Sequence, residues 1–309
     1  MRMLVLGAGA LGGYFGGRLA EAGGDVSFLV RPARAGRLAE SGLRIESPYG
    51  DARLDVRAVT EATAGFDVVM LACKAYDLDA AIAAVRPAMA GGAALLPVLN
   101  GLSHIARLQA EFGTAQVLGG LCKIQAALSP EGVVRQLNDW RWLSFGELDG
   151  SMSPRVRAIE AAFATAKGVV ARAYPDIAQR LWEKLVHLGT SAIGTVLMRA
   201  NVGEIVRAGG SAWLHEVLAR NAAIAAHHGH PMPDGFLAEY RALFADASSA
   251  YATSMLRDIE AGGRSEGEHV LGFLHAAALR AGVAAEIHAA ALLHARAQEV
   301  RRVSRPPPT

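Results

Sequence analysis

Lys184 sits in the run Trp182-Glu183-Lys184-Leu185, the one lysine of a stretch whose Ile177, Leu181, Trp182, Leu185 and Leu188 recur at helical spacing. An ammonium group beside an apolar cleft is poorly solvated in its charged form, so it readily gives a proton to a developing alkoxide. A lysine on such a helix can equally lay its stem along the apolar face and keep the amine in water, and spacing alone leaves both readings open. Glu266, flanked by Ser265 and Glu268, precedes another apolar helical run; on spacing alone it reads as a helix start, where acidic side chains are favoured. His227 and His228 point about 100° apart on a helix, and no carboxylate stands at zincin spacing from them or from His230, so no metal site is expected. Neither a G-x-S-x-G run nor a Cys/His nucleophile arrangement is present.

The first residues of the chain read as a place for a dinucleotide. Met3-Leu4-Val5-Leu6 reads as a buried strand, Gly7-Ala8-Gly9-Ala10-Leu11-Gly12 as a glycine turn, and the residues to Ala20 as a helix. In this pattern Gly7 permits the tight turn, Gly9 lets backbone amides approach a pyrophosphate, and Gly12 lets helix and strand pack closely. The helix N-terminus then offers free N–H groups and a positive dipole end. With 34 glycines in the chain the motif alone is weak, and it is the strand before it and the helix after it that give it weight.

The second strand, Asp25 to Val30, ends on Arg31. An acidic residue about 20 positions past the motif would accept from a ribose 2′-hydroxyl, whereas Arg31, followed by Arg34 and Arg37, would meet a 2′-phosphate. The expected cofactor is therefore NADP, with Arg34 and Arg37 more open than Arg31 to being the solvated face of a short helix. Phe66 to Ala72 reads as a further buried strand, with Lys74 just past its carboxyl end, where ligands bind in open α/β sheets; a surface lysine is the alternative. Asn100, after the strand Leu95–Leu99, falls on the same edge or is a helix-leading turn residue.

A chain of 309 residues, 52% hydrophobic and 19% charged, has room for two packed cores. A net charge of +2 with no basic-aromatic ladder argues against a nucleic-acid partner. No apolar run reaches a membrane span, and the glycine motif occupies the place of a signal peptide, so a cytoplasmic protein without a membrane association is expected. Cys73 and Cys122 fall in apolar segments expected to be buried strands, which favours a reducing compartment. Leu43–Ile45 and Arg53–Val56 read as an inserted hairpin around Pro48-Tyr49-Gly50-Asp51. Strands near 117–118, 122–128, 133–137 and 142–145, a helix over 154–166 and a strand at 169–173 are expected to complete one sheet. From Asp176 only helical periodicity follows, with helices near 212–228, 235–246, 267–281 and 284–302. The fold class is thus α/β, an N-terminal Rossmann-type doubly wound sheet over 1–174 followed by an all-helical domain over 175–303. Residues 304–309 form a proline-rich disordered tail. The apolar helical half could also supply a homodimer face.

In order along nearly the whole chain, Gly7 to Gly12, Arg31, Cys73-Lys74-Ala75-Tyr76, Asn100-Gly101, Pro130-Glu131-Gly132-Val133, Trp182-Glu183-Lys184-Leu185, Gly203-Glu204-Ile205, Ser254-Met255-Leu256-Arg257-Asp258, and Glu266 through Gly272-Phe273-Leu274 resemble the ketopantoate reductase (2-dehydropantoate 2-reductase) family. The resemblance implies NADPH-dependent reduction of a small 2-keto acid to a 2-hydroxy acid, in a cleft between the two domains. It implies that Lys184 is the proton donor, that Glu266 is its hydrogen-bonding companion in the catalytic cleft, that Asn100 positions substrate and nicotinamide, and that Ser254 contacts the substrate carboxylate. It places Gly7, Ala8, Gly9, Ala10, Leu11, Gly12, Arg31, Lys74, Asn100 and Ala126 along the cofactor. Members acting on ketopantoate carry asparagines where this chain has Leu188, Ala192 and Tyr251, and Val202 with Asn201 beside it replaces another. The reaction class is therefore better defined than the substrate. Ketopantoate is the default substrate, with another 2-keto acid as its rival; a 3-hydroxy acid or opine-type dehydrogenase and a non-catalytic NADP-binding sensor are the alternatives.

Overall fold

The computed structural model describes residues 1–304, and the expected tail from 305 to 309 lies outside them. The strands are β1 (Arg2–Leu6), β2 (Asp25–Leu29), β3 (Leu43–Glu46), β4 (Ala52–Leu54), β5 (Arg57–Val59), β6 (Val68–Leu71), β7 (Ala94–Pro97), β8 (Leu118–Lys123), β9 (Ala126–Leu128), β10 (Val133–Gln136), β11 (Trp142–Glu147) and β12 (Val170–Ala173). Interleaved helices are α1 (Ala10–Glu21), α2 (Pro32–Ser41), α3 (Leu78–Met89), α4 (Ser103–Phe112) and α5 (Pro154–Ala162). Helices α6 (Ile177–Met198), α7 (Val202–Arg207), α8 (Ser211–His227), α9 (Asp234–Leu243), α10 (Ser254–Glu260), α11 (Phe273–Ala281) and α12 (Glu286–Ser304) follow.

The chain forms two units, Met1–Leu99 with His104–Ala178, and Asn100–Ser103 with Gln179 onward. The first unit is built on a parallel sheet of order β5-β2-β1-β6-β7, in which the connections reverse direction at β1. Strand alternation divides its side chains cleanly. Met3 and Val5 face one core with Tyr14 and Phe15 of α1, while Leu4 faces another with Leu78, Ile82 and Val85 of α3. The glycines of α1 do more than make a turn. A Cβ on Gly16 would lie 2.9 Å from Val5 and Phe28 of the parallel sheet, and one on Gly17 2.7 Å from Ile45 of β3. Glycine at both positions lets α1 sit tightly between two sheets.

That second sheet corrects the sequence reading. The strands after β7 do not complete one sheet. The hairpin β3–β4 pairs through β3 with β10, in a four-stranded sheet β4-β3-β10-β9, and β8, β11 and β12 form a third sheet of order β12-β11-β8. Val134 of β10 lies 2.7 Å from a Cβ position on Gly13, so this strand is held on the far side of α1 from the parallel sheet. Cys122 is buried in β8 as expected, but Cys73 lies past the end of β6 and is only half-buried.

The second unit is helical in every regular element, and two short helices, α7 and α10, interrupt what the periodicity suggested were connections. Asn201 and Glu204 form a reciprocal capping box at the start of α7, and Thr253 caps α10 by accepting from the Leu256 N–H at 3.3 Å. Ser304, placed in the tail from sequence, ends α12. A buried polar chain runs through the apolar core. The Thr190 hydroxyl donates to the Val186 carbonyl, Asn221 Nδ2 donates to Thr190 Oγ1 at 2.9 Å, and His288 Nε2 meets Asn221 Oδ1 at 2.8 Å. Because Asn221 Oδ1 can only accept, His288 carries its proton on Nε2 in this arrangement.

Burial, reinforced by the Arg220 and His275 charges and opposed by Glu286, holds His288 down at about 4, below an ordinary histidine. The unfolded chain therefore binds this proton at higher pH than the folded one. Its contribution to stability is present above about pH 6.5 and is lost as pH falls toward 4, a change on the order of 2–3 kcal/mol. Denaturant unfolding across this range should show the decline, and His288→Gln should flatten it.

Candidate active site

At the carboxyl end of β1 the chain turns on Gly7, whose φ of +92° lies in the left-handed region open to glycine. The Gly7 N–H donates to the Leu29 carbonyl at 2.9 Å, tying the turn to the end of β2. Gly12 is fixed by space, since a Cβ there would lie 2.1 Å from the Gly7 carbonyl oxygen and 3.0 Å from Val5. Gly9 is the opposite case. No atom stands within 4 Å of its Cβ position, and as the residue before α1 it caps no N–H with a side chain. Ala8, Ala10 and Leu11 complete the turn. An open face at Gly9 and an uncapped helix N-terminus, at the strand where the sheet connections reverse, fit the phosphates of a dinucleotide.

Arg31 is exposed and occupies the position before α2, with Pro32 as the first helical residue. Arg34 departs from the solvated-face reading. It is half-buried and its Nη2 donates to the Ala8 carbonyl at 2.9 Å and to the Gly132 carbonyl at 3.1 Å. One guanidinium thus joins the glycine turn to the Pro130-Glu131-Gly132 turn between β9 and β10. Burial and the neighbouring Arg37 charge hold Arg34 below the usual arginine range. Arg37 is exposed and reaches the Pro130 carbonyl at 3.3 Å. The clue in the sequence was Pro32, which fixes the helix start and puts Arg34 in the first turn.

Lys74 is half-buried three residues past β6, the neighbour of β1 in the sheet, and leads a 3₁₀ turn over Ala75–Asp77. It shares the carboxyl edge of the sheet with Gly7. Ala126 opens edge strand β9, paired with Gln136 of β10.

In the second unit, Asn100 Nδ2 donates to Glu266 Oε2 at 3.2 Å. Glu266 is only 5% exposed, a carboxylate held in the interior by residues 166 positions apart in sequence. Gly101, at φ +82°, lets this segment pass the backbone of His269, whose carbonyl oxygen would lie 3.4 Å from a Cβ. The carbonyl of Glu266 accepts from His269 and Val270, starting a π-helical turn over Glu268–Gly272 that runs into α11. Glu266 therefore does sit at a helical start, as one sequence reading had it, and is also brought to Asn100.

Lys184 lies on α6 and is half-buried. Ser254 is the first residue of α10, whose cap Thr253 meets Thr195 of α6 at 2.9 Å between hydroxyl oxygens. Since positions 184, 188, 191 and 195 fall along one face of a helix, the segment carrying Ser254 docks on the face that carries Lys184. His228 and His230 stack on Trp182, with ring centroids 5.0 and 5.7 Å away. Among the described residues no group of three His, Cys, Asp or Glu side chains is placed to hold a metal ion, and no helix is long and apolar enough to cross a membrane.

A parallel sheet that reverses at a glycine turn, followed by a helical unit, is a Rossmann-type arrangement with a helical second unit, the class of the oxidoreductases that the chain matches. Two family models match, ketopantoate reductase PanE/ApbA over residues 3–150 and the C-terminal model of the same family over 176–299. The chain belongs to the ketopantoate reductase family. It is 36% identical over 289 residues to the uncharacterized oxidoreductase YkpB of Bacillus subtilis, covering 93% of this chain and 95% of that one. It is 30% identical to a 2-dehydropantoate 2-reductase of Halobacterium salinarum, covering 88% and 90%. The crystal structure of 2-dehydropantoate 2-reductase from Methylococcus capsulatus superposes with a TM-score of 0.86 over 99% of both chains at 27% identity.

Two substitutions probe these contacts. Gly12→Ala should destabilise the fold by about 1–3 kcal/mol through overpacking, seen as an earlier urea midpoint. Asn100→Ala removes a donor from a buried carboxylate and should cost about 1–3 kcal/mol in the same assay.

Proposed function

We propose that the protein reduces a 2-keto acid to the 2-hydroxy acid with NADPH, the default substrate being ketopantoate and the product pantoate, or a close relative of that pair. The observation that supports the reading is the Asn100–Glu266 hydrogen bond, a side-chain amide held on a buried carboxylate within the second unit of a chain of this family. Lys184, half-buried on α6 among a few open positions of a mostly buried helix, supports it as the available acid.

Gly7 to Gly12 hold the dinucleotide phosphates through backbone amides, Arg31 at the end of β2 meets the 2′-phosphate, and Lys74 and Ala126 line the same cofactor. When bound, the nicotinamide supplies a hydride to the carbonyl carbon of the substrate. Lys184 places its ammonium group at the carbonyl oxygen, stabilises the negative charge that develops there and passes a proton to it, leaving a neutral amine that solvent reprotonates. Asn100 orients the reacting groups and Glu266 fixes the Asn100 amide. The Ser254 hydroxyl donates to the substrate carboxylate. The protein works in the cytoplasm in this reading.

Following NADPH oxidation with 2-keto acids, and with NADH in parallel, tests the whole reading. Lys184→Ala should lower kcat/KM about 10²- to 10⁴-fold and leave the Kd for NADPH unchanged. Arg31→Glu should raise the Kd for NADPH and not that for NADH. Tight NADPH binding without turnover on any 2-keto acid would overturn the reductase assignment.

A further inference from the structure

From Leu181 to Val196 the helix α6 is buried except at four positions, Glu183, Lys184, His187 and Leu188. These form one open window, and Lys184 is its cationic end. One turn beyond Lys184, about 5 Å along the axis, the window carries no side-chain amide or hydroxyl. It carries Leu188 and the His187 ring. His187 stacks on Tyr240 of α9 with ring centroids 4.3 Å apart and planes 24° from parallel, and the Tyr251 ring lies 5.5 Å from it. Phe236 extends the cluster, 4.5 Å from Tyr240. Tyr240 and Tyr251 are half-buried. Burial pushes both phenols up, so the rings stay uncharged at neutral pH, and Glu183, whose charge also raises the Tyr240 phenol, adds a negative charge beside the window.

A 2-keto acid whose carbonyl oxygen sits at Lys184 and whose side chain runs along α6 meets Leu188 and a set of ring faces and edges. Flat aromatic groups gain offset-stacked and edge contacts from such a surface, whereas a branched hydroxyl-bearing side chain gains no stacking and meets no side-chain amide on this turn of α6. A second carboxylate would meet Glu183. We infer that the preferred substrate is a monocarboxylic 2-keto acid with an aromatic side chain, held by Leu188 and the His187–Tyr240–Tyr251 ring cluster. This rests on the reductase reading above and narrows its substrate.

The test compares kcat/KM for phenylpyruvate, ketopantoate and 2-oxoglutarate with NADPH and the full-length protein. Phenylpyruvate should exceed both others by about 10- to 200-fold, the range an apolar pocket supplies. Leu188→Asn and Tyr251→Asn, each checked by circular dichroism, should move the phenylpyruvate-to-ketopantoate ratio toward ketopantoate by about tenfold. Turnover with ketopantoate or 2-oxoglutarate preferred overturns the inference and leaves the reductase reading standing. An unmoved ratio in both folded variants overturns the assignment to these residues. If the variants fail to fold, the wild-type ratio decides. Absence of turnover on all three, with NADPH bound, overturns both readings.

Discussion

The first unit depends on the fit of α1 between two sheets. Gly16 faces Val5 and Phe28, Gly13 and Gly17 face Val134 and Ile45, and each pair lacks the space for a methyl group. Interiors packed at crystalline density do not give way by an ångström without moving a neighbour. The position of α1 is therefore set from both sides, and with it the direction of the N–H groups at its start. A ligand site made of backbone depends on that, because no side chain can reach in to compensate for a displaced helix.

In the helical unit the equivalent role falls to polar groups. Thr190, Asn221 and His288 link α6, α8 and α12 through short hydrogen bonds, and Thr195 with Thr253 links α6 to the cap of α10. Leu, Val and Ile contacts stabilise helices over a range of rotations, while a buried hydrogen bond is lost if a helix turns. These pairs fix the rotation of α6, and so determine that Glu183, Lys184, His187 and Leu188 are the positions left half-buried between Leu181 and Val196.

Much of this was legible in the residues themselves. The strand, glycine turn and helix over 2–21 follow from a four-residue apolar run and the glycine spacing, and the hairpin over 43–54 from alternation around Pro48–Asp51. The capping box of α7 stood in Asn201-Val202-Gly203-Glu204, but six residues are too few to show the periodicity that outlined the longer helices, and that stretch read as a connection. What could not be read was placement across distance. Nothing near Asn100 indicates a carboxylate 166 residues away. Nothing in the strands after β7 says that β10 pairs with β3, because both faces of α1 read as plain glycine. Pro32 put Arg34 in the first turn of α2, but nothing local marked the Ala8 and Gly132 carbonyls that set it apart from its solvated neighbours.

The glycine turn and the end of β2 also differ in how freely they can change. Gly12 is locked against the backbone, and Arg34 is committed to two carbonyls, so drift at either would be felt by the whole first unit. Arg31, exposed at the strand end, contacts little that a substitution would disturb. A lineage with this fold can thus vary the residue at the tip of the second strand at little structural cost, while Gly12 and Arg34 stay fixed by the backbone packed around them.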